Sequence, residues 1–302
     1  MTRGSPMTKL LASLGRPVSQ GRADFHLHST MSDGQYTYRE LVDLCARAGL
    51  DAMAITDHDT MGAFDEWAPM ARARQMVPVC GVEITTEFHQ KEIHILAYWI
   101  APTPSPLGNR LDEYRNLRWE RFLSILVNLK SRGLSGLDRY INGALAKKDG
   151  PTEVALGRRH VAEILIVEKH ASSLRQAFDR YLNDPLVVGI PRERIRAQEA
   201  IDWVRDSGGI TSWAHPSENR VGECLPELVK MGLSAVEVEY PDFKNSWTKT
   251  LRKMASNHGL LITGGSDCHG PGNRWPGSTN IGGKDLETLL EALKKRNVSC
   301  TL

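Results

Sequence analysis

Asp24-Phe25-His26-Leu27-His28-Ser29-Thr30-Met31-Ser32-Asp33-Gly34 is the stretch from which the rest of the chain takes its order. Read as a short strand over 24–28, it alternates its side chains between faces, so His26 and His28 project to the same side. Two imidazoles side by side at a strand end, with Asp33 five residues on and Gly34 to turn the chain, suit a divalent transition metal bound through neutral ring nitrogens. Two polar side chains on a solvated face give the same pattern, so the remaining sequence has to decide.

Outward from this stretch, 38–48 carries Leu41, Val42, Leu44, Cys45 and Ala48 at the spacing of a helix with one buried face, with Thr37 as N-cap and Gly49 as stop. The apolar run 52–56 reads as a buried strand that delivers Asp57-His58-Asp59, a second set of candidate ligands, at its end. A helix over 63–75, weakened or split by Pro69, leads to a strand over 77–84 that sets Glu83 among apolar neighbours. A lone buried carboxylate is costly, so Glu83 requires a partner, either a metal or a basic side chain. A strand over 92–100 then puts His94, Leu96 and Tyr98 on one face.

Three prolines in Ala101-Pro102-Thr103-Pro104-Ser105-Pro106 favour an extended linker and mark a boundary. Beyond it the pattern is helical over 107–132, with further helices expected at 136–147, 157–170 and 172–182 and no strand pattern before Leu186. Strands then return at 210–214, 235–238 and 260–263, alternating with helices at 198–207, 225–231, 247–258 and 286–295. The first of these strands runs into His215-Pro216 and the last into Gly264-Gly265-Ser266-Asp267-Cys268-His269. The expected organisation is a mobile leader over 1–22, an α/β domain formed by 23–102 and 186–302, and a helical insertion over 103–185. Repeated strand-helix-strand units argue for a parallel sheet, open or rolled into a barrel, with its site at the carboxyl ends of the strands.

At 302 residues the chain is long enough for a large core, and its net charge of +2 with 25% charged residues indicates neither a polybasic nucleic-acid surface nor an acidic tail. Cys45, Cys80, Cys224, Cys268 and Cys300 are scattered and contain no CxxC, which reads as reduced thiols in a cytoplasmic protein. The weak apolar run 10–14 is too short and too polar for a signal peptide, and no 18-residue apolar run occurs, so no membrane span is expected.

The polar residues singled out fall at strand ends or, for Glu83 and His94, within strands where a rolled sheet points them inward. A parallel sheet brings such residues to one mouth, and together they supply more donors than one four-coordinate ion requires. In this order and composition the chain resembles the PHP (polymerase and histidinol phosphatase) family of metal-dependent phosphoesterases over about residues 22–290. The four motifs of that family correspond to His26-Leu27-His28 with Asp33, Thr56-Asp57-His58-Asp59, Ala214-His215-Pro216 and Gly265-Ser266-Asp267-Cys268-His269. The resemblance is greatest to the bacterial branch with a helical insertion, which includes a nucleoside monophosphate phosphatase and enzymes acting on 3′,5′-bisphosphorylated nucleotides and on short RNA from the 5′ end.

This resemblance implies a distorted (β/α)7 barrel with a helical cap and two to three divalent ions, Mn, Zn or Fe. One ion is expected on His26, His28, Glu83 and Asp267, a second on bridging Glu83, His94 and His215, and a third on Asp33, His58 and His269. Asp57 and Asp59 are expected behind the ligands, orienting imidazoles. Arg158 and His160, in Gly157-Arg158-Arg159-His160, match a segment that reaches the substrate phosphate, whereas Arg159 reads as an exposed helical charge. The implied activity is hydrolysis of a nucleotide or other small phosphorylated metabolite by a metal-activated hydroxide, with no obligate protein partner. Two departures weigh on the substrate. A lysine usual before the strand near 188 is missing from Asn183-Asp184-Pro185-Leu186, and a glycine and arginine after the third motif are replaced by Ser217-Glu218-Asn219-Arg220, with Arg220 and Arg274 as the candidates to compensate. A 5′-3′ exonuclease or phosphodiesterase, including one for cyclic phosphates, is the first alternative, and short RNA its substrate. A dedicated hydrolase of another metabolite, with Trp213, Tyr240, Trp247 or Trp275 shaping its pocket, is a further one, although core packing is the simpler role for most of these rings. A metal-stabilised binding module without turnover is the non-enzymatic reading.

Overall fold

The computed structural model describes residues 17–61, 63–145, 154–189 and 194–295. Residues 1–16 of the expected leader lie outside these, while Val18–Gln20 forms a 3-10 turn and Arg22 already opens the first strand. The strands are β1 (Arg22–Asp24), β2 (Ala52–Met53), β3 (Val77–Pro78), β4 (Gly81–Phe88), β5 (Lys91–Tyr98), β6 (Ile195–Arg196), β7 (Ile210–Trp213), β8 (Ala235–Glu239), β9 (Leu261–Gly264) and β10 (Ile281–Gly282). The helices are α1 (Tyr38–Arg47), α2 (Phe64–Ala73), α3 (Pro106–Ser131), α4 (Asp138–Leu145), α5 (Arg158–Val167), α6 (Leu174–Ala177, running into the π-helical turn Phe178–Leu182), α7 (Pro185–Val188), α8 (Ala197–Asp206), α9 (Val221–Met231), α10 (Asn245–Asn257) and α11 (Gly283–Lys295).

Two compact units are present, Met1–Asn109 with Arg194–Leu302, and Arg110–Glu193. The second is helical and closes on its own core, in which Phe122, Leu126 and Leu129 of α3 meet Val161 and Leu165 of α5. The first is a mixed α/β unit with one sheet in the order β10-β1-β2-β3 and another in the order β6-β4-β5-β7-β8-β9. Its core has three parts. Phe25, Leu96 and Tyr98 pack on Leu286, Leu289 and Leu293 of α11. Ile95, Trp213 and Val236 pack on Leu225 and Leu228 of α9 and Leu251 of α10. Leu41 and Val42 of α1 and Trp67 of α2 pack on Leu27, Met53 and Ile55. Each such large apolar side chain contributes about 1.5–3 kcal/mol on full burial.

Hydrogen bonds tie the two sheets at two places, through the segments that follow β1 and β2. On one side Phe25 N donates to Gly264 O (3.2 Å), Asp267 N to His26 O (2.8 Å) and His28 N to Cys268 O (3.0 Å). On the other Glu83 N donates to Asp57 O (3.2 Å) and Asp59 N to Glu83 O (2.9 Å). Gly265 makes the first junction feasible, because a Cβ there would lie 2.5 Å from the Cβ and N of His26. Gly34 plays the same part in the loop after β1, where a Cβ would lie 2.1 Å from His28 O.

The structure corrects several sequence expectations. The sheet is not parallel throughout: β4 pairs antiparallel with β5, and β5 antiparallel with β7. The cause is the two-residue connection His89-Gln90, both with positive φ (51° and 60°), which folds β4 back on β5 as a tight hairpin. The expected strand over 77–84 is two strands in different sheets, since the chain crosses from β3 to β4 at Val79-Cys80. The 24–28 strand is shorter, with Leu27 joined to Cys268 by an isolated parallel bridge. Pro69 does not split α2, which runs through it. Leu186–Val188, expected to start a strand, is the helical turn α7, with Pro185 in its first turn and Asp184 Oδ1 accepting from Leu186 N (2.8 Å). Thr37 caps α1 as expected, its hydroxyl accepting from Glu40 N (3.3 Å) while Glu40 Oε2 accepts from Thr37 N (2.8 Å). No helix among the described residues is long and apolar enough to cross a membrane. Cys45, Cys80, Cys224 and Cys268 are buried free thiols, and Cys300 lies outside the described residues.

Candidate metal centre

Six of the ten histidines in the chain converge with three carboxylates in the first unit, Glu83 and His94 from within β4 and β5 and the others from segments after strands, and their donor atoms form four overlapping clusters. These are His28, Asp33, His58 and His269; His26, His28 and Asp267; His26, Glu83 and His215; and His58, Glu83 and His94. Within each cluster the donor atoms lie within 4.8 Å of one another. Glu83, 1% exposed, is the hub. Its Oε1 lies 2.9 Å from His94 Nδ1 and 3.1 Å from His215 Nε2. Its Oε2 lies 3.1 Å from His28 Nε2, 3.2 Å from His26 Nε2 and 3.5 Å from His58 Nδ1. Asp267 Oδ1 sits 3.2 Å from His28 Nε2 and 3.4 Å from His26 Nε2, and Asp33 Oδ1 lies 3.3 Å from His269 Nε2.

Short sequence distances explain this placement. His26 and His28 leave the end of β1 on one side with ring centroids 5.2 Å apart, and Glu83 and His94 meet diagonally across the β4–β5 hairpin. His215 and Asp267 lie two and three residues beyond the ends of β7 and β9 and hold left-handed backbones, φ 31° and 49°, as does Asp59 at 54°. Such conformations cost a non-glycine residue about 1–2 kcal/mol and recur at functional sites.

Burial and charge act against each other here. Burial raises Asp33, Glu83 and Asp267, but the surrounding imidazoles hold all three well below the ordinary carboxylate range. Burial lowers His28, yet Asp267 and Glu83 outweigh it and lift the ring to about 10; His94 is lifted to about 10 by Glu83 and Glu92 against the same opposition. At His58 burial prevails and pushes the ring down to about 4. The carboxylates thus demand positive charge inside a buried cluster. A divalent ion fits this donor set of imidazole nitrogens and carboxylate oxygens. His28 Nε2 and His58 Nδ1 fit it too, since both are buried without a hydrogen-bond partner although Glu83 Oε2 is near.

Asp57 and Asp59 act on the backbone around the ligands. Asp57 accepts from Ser29 N (2.7 Å), Ser29 Oγ (2.6 Å) and Ser32 Oγ (2.5 Å), and it reaches His28 Nδ1 through Ser32 Oγ at 3.5 Å. Asp59 accepts from Thr85 N (2.7 Å) and Thr85 Oγ1 (2.9 Å), holding β4 beside Glu83. Arg158 and His160 lie in the first turn of α5 in the second unit, where Gly157 N donates to His160 Nδ1 (3.0 Å) and the Arg158 guanidinium lies 5.7 Å from the Phe178 ring centre. Arg159 faces Glu163 at 3.5 Å one turn on.

Sequence reading missed Glu237 and gave two other contributors, Tyr240 and Arg274, different roles. Glu237 on β8 is fully buried and accepts from His26 Nδ1 (2.8 Å) and His215 N (2.7 Å). Its signal was the one that exposed Glu83, a carboxylate in an apolar strand. Tyr240, weighed only as a pocket wall, donates to Asp267 Oδ2 (2.8 Å), and Arg274 binds the same oxygen and Asp242 while lying 5.1 Å from the Tyr240 ring centre. Trp213 and Trp247 are core side chains, and Trp275 is 48% exposed. A recess of about 220 Å³ opens beside His94 and His215 and is lined by Glu92, Ser217 and Arg220.

Comparisons with known proteins give the chain a family. The family model described as "PHP domain" matches residues 24–182. The chain is 28% identical over 268 residues to a 3′,5′-nucleoside bisphosphate phosphatase of Chromobacterium violaceum, covering 87% of this chain and 90% of the relative. It is 30% identical over 253 residues to a 5′-3′ exoribonuclease of Haemophilus influenzae, covering 82% and 90% respectively. Among solved structures, that of an amidohydrolase from Chromobacterium violaceum with bound sulfate and no metal superposes with a TM-score of 0.77 at 27% identity, covering 90% of this chain and 96% of that one. With a family model matching half its length and a relative of 30% identity aligned over nearly all of that relative, the chain belongs to the PHP domain family.

Proposed function

We propose that this protein hydrolyses phosphate esters with the help of divalent metal ions, and that its substrate is a nucleotide or another small phosphorylated metabolite. The observation that carries this reading is the convergence of five imidazole nitrogens within 3.5 Å of the two oxygens of buried Glu83. In this reading His26, His28, Glu83 and Asp267 hold one ion, Glu83, His94 and His215 a second, and Asp33, His58 and His269 a third. Manganese, zinc and iron suit such mixed nitrogen and oxygen ligands. When bound, such ions supply Lewis acidity toward phosphoryl oxygens and acidify water.

The chain's own residues complete the chemistry. His160 accepts at Nδ1 from Gly157 N, so the proton of its neutral ring sits on Nε2; Nε2–H and the planar cationic fork of Arg158 are both of a kind that binds phosphoryl oxygens. Their assignment to the substrate rests on the motif they share with the family. Asp57, through Ser29 and Ser32, fixes the loop that carries Asp33. Closure of the sheets into a distorted seven-stranded barrel is the architecture we favour, supported by the hydrogen bonds joining β1 to the segment after β9 and β4 to the segment after β2. The helical stretch 103–185 is proposed as an insertion within the sequence of the α/β unit.

The test is phosphate release from a panel of nucleoside mono- and bisphosphates, sugar phosphates, cyclic phosphates and RNA dinucleotides, with added Mn²⁺ or Zn²⁺ and with chelator. Chelation is expected to abolish turnover and lower thermal stability, and His26→Ala or Asp267→Ala to reduce turnover by at least 100-fold. Unchanged turnover in either variant refutes the assignment. The likeness to the Haemophilus influenzae exoribonuclease favours RNA as the second substrate class, recognisable by 5′-end cleavage whose affinity falls with salt.

A further inference from the structure

We infer that Glu237 is a positioning residue of the metal centre, one buried carboxylate that sets the His26 ring and the His215 backbone together. The inference rests on the metal-centre reading above and adds to it a residue outside the ligand set. Glu237 lies in none of the four donor clusters, and both its oxygens are engaged elsewhere. Oε1 faces His26 Nδ1 at 2.8 Å. A carboxylate only accepts, so Nδ1 carries a proton, and the lone pair of the neutral ring sits on Nε2, the atom 3.2 Å from Glu83 Oε2 and 3.4 Å from Asp267 Oδ1. Oε2 accepts from His215 N at 2.7 Å, where the backbone holds its left-handed φ of 31°. The two rings governed in this way lie nearly parallel, with centroids 5.8 Å apart and planes inclined by 20°.

The strand that carries Glu237 is shaped for the task. Glu237 pairs with Thr263 and Glu239 with Gly264, so the β8–β9 register shifts between them. Irregularities of this kind re-aim side chains next to functional sites. The two buried glutamates therefore differ in role: Glu83 spreads its oxygens among five imidazoles, whereas Glu237 holds one ring edge and one peptide N–H.

Glu237→Gln separates this role from bulk packing. The amide preserves volume but keeps a single acceptor, so its NH₂ must face either His26 Nδ1 or His215 N. In the first case His26 turns to the other tautomer and presents Nε2–H to the ion; in the second the His215 peptide loses its anchor. Mn²⁺ titration calorimetry on metal-free protein, metal content after dialysis, and phosphate release against Mn²⁺ concentration provide the readouts. The expected result is a folded variant whose Mn²⁺ affinity falls 10- to 100-fold, the range seen when such outer partners are removed, with turnover recovering toward wild type at saturating Mn²⁺. A folded Glu237→Gln that binds Mn²⁺ as tightly as wild type overturns the inference. If it does not fold, Glu237→Asp decides: this shorter carboxylate cannot span both partners, so weakened Mn²⁺ binding supports the role and wild-type binding overturns it. Wild-type protein that binds no Mn²⁺, Zn²⁺ or Fe²⁺ refutes the metal-centre reading itself, a distinct failure.

Discussion

Replacing Tyr240 by Phe deletes one oxygen atom at the edge of the centre. The hydroxyl donates to Asp267 Oδ2 at 2.8 Å, on the side of the carboxylate opposite the imidazoles. The ring stays in place, since its neighbours Phe243 at 5.0 Å and His215 at 5.4 Å between centroids are unaffected. A hydrogen bond to a charged acceptor is worth about 1.5–3 kcal/mol net. Arg274, the other group on Oδ2, is 31% exposed and does not make good the loss, because solvent weakens such a pair. Tyr240→Phe is therefore expected to lower the stability of the metal-free protein by about 1.5–3 kcal/mol, or about 2–6 °C in Tm. If the same bond steadies Asp267 Oδ1 toward bound ions, it sets an upper limit of about 100-fold on the loss of metal affinity, at about 1.4 kcal/mol per tenfold. Thermal unfolding with and without chelator and Mn²⁺ titration measure the two effects. A variant within about 0.5 kcal/mol of wild type and with an identical Mn²⁺ titration refutes the claim that this hydroxyl holds Asp267.

Gln90→Gly tests the hairpin that brings Glu83 to His94: with φ at 60° the glutamine is strained by about 1–2 kcal/mol, and after the entropy cost of glycine a net gain of about 0.5–1 kcal/mol is expected in thermal or urea unfolding, with turnover unchanged. The buried thiols are expected to resist a disulfide reagent at pH 8 until the protein is unfolded, as peptide mapping of labelled Cys45, Cys80 and Cys268 will show. Burial lifts Cys268 to about 11 from about 9, so the unfolded chain ionises first and this thiol's contribution to stability falls as pH rises from about 9 to 11.

The histidine and aspartate motifs were legible because their spacing is local: a period of two puts His26 beside His28, and strand ends in an α/β chain share a mouth. Glu83 was legible as a carboxylate in an apolar strand. Glu237 carries the same signature in Ala235-Val236-Glu237-Val238, but no flanking motif distinguished it from a polar residue on an open face. The β4–β5 reversal was hidden because His89-Gln90 lacks the Asn-Gly or Asp-Gly signature of such turns, and the break between β3 and β4 because Val79-Cys80 reads as strand. Tyr240 was weighed only as a ring that shapes a pocket or packs in the core, since a hydroxyl aimed at a residue 27 positions away leaves no trace in local pattern.

The three strained residues at the centre show how such a site is held. Asp59, His215 and Asp267 lie in the segments that follow β2, β7 and β9, and each takes a left-handed backbone that turns the chain across the mouth of the sheet. Left alone, three such residues cost about 3–6 kcal/mol together. Each, however, donates its own N–H across the mouth: Asp59 to Glu83 O at 2.9 Å, Asp267 to His26 O at 2.8 Å, His215 to Glu237 Oε2 at 2.7 Å. Two of these bonds are backbone pairings that continue the sheet, and any residue with an N–H can make them. The third depends on one side chain, so the strain at His215 is the part of the centre most exposed to a single substitution, and it is released at Glu237 rather than at any ligand.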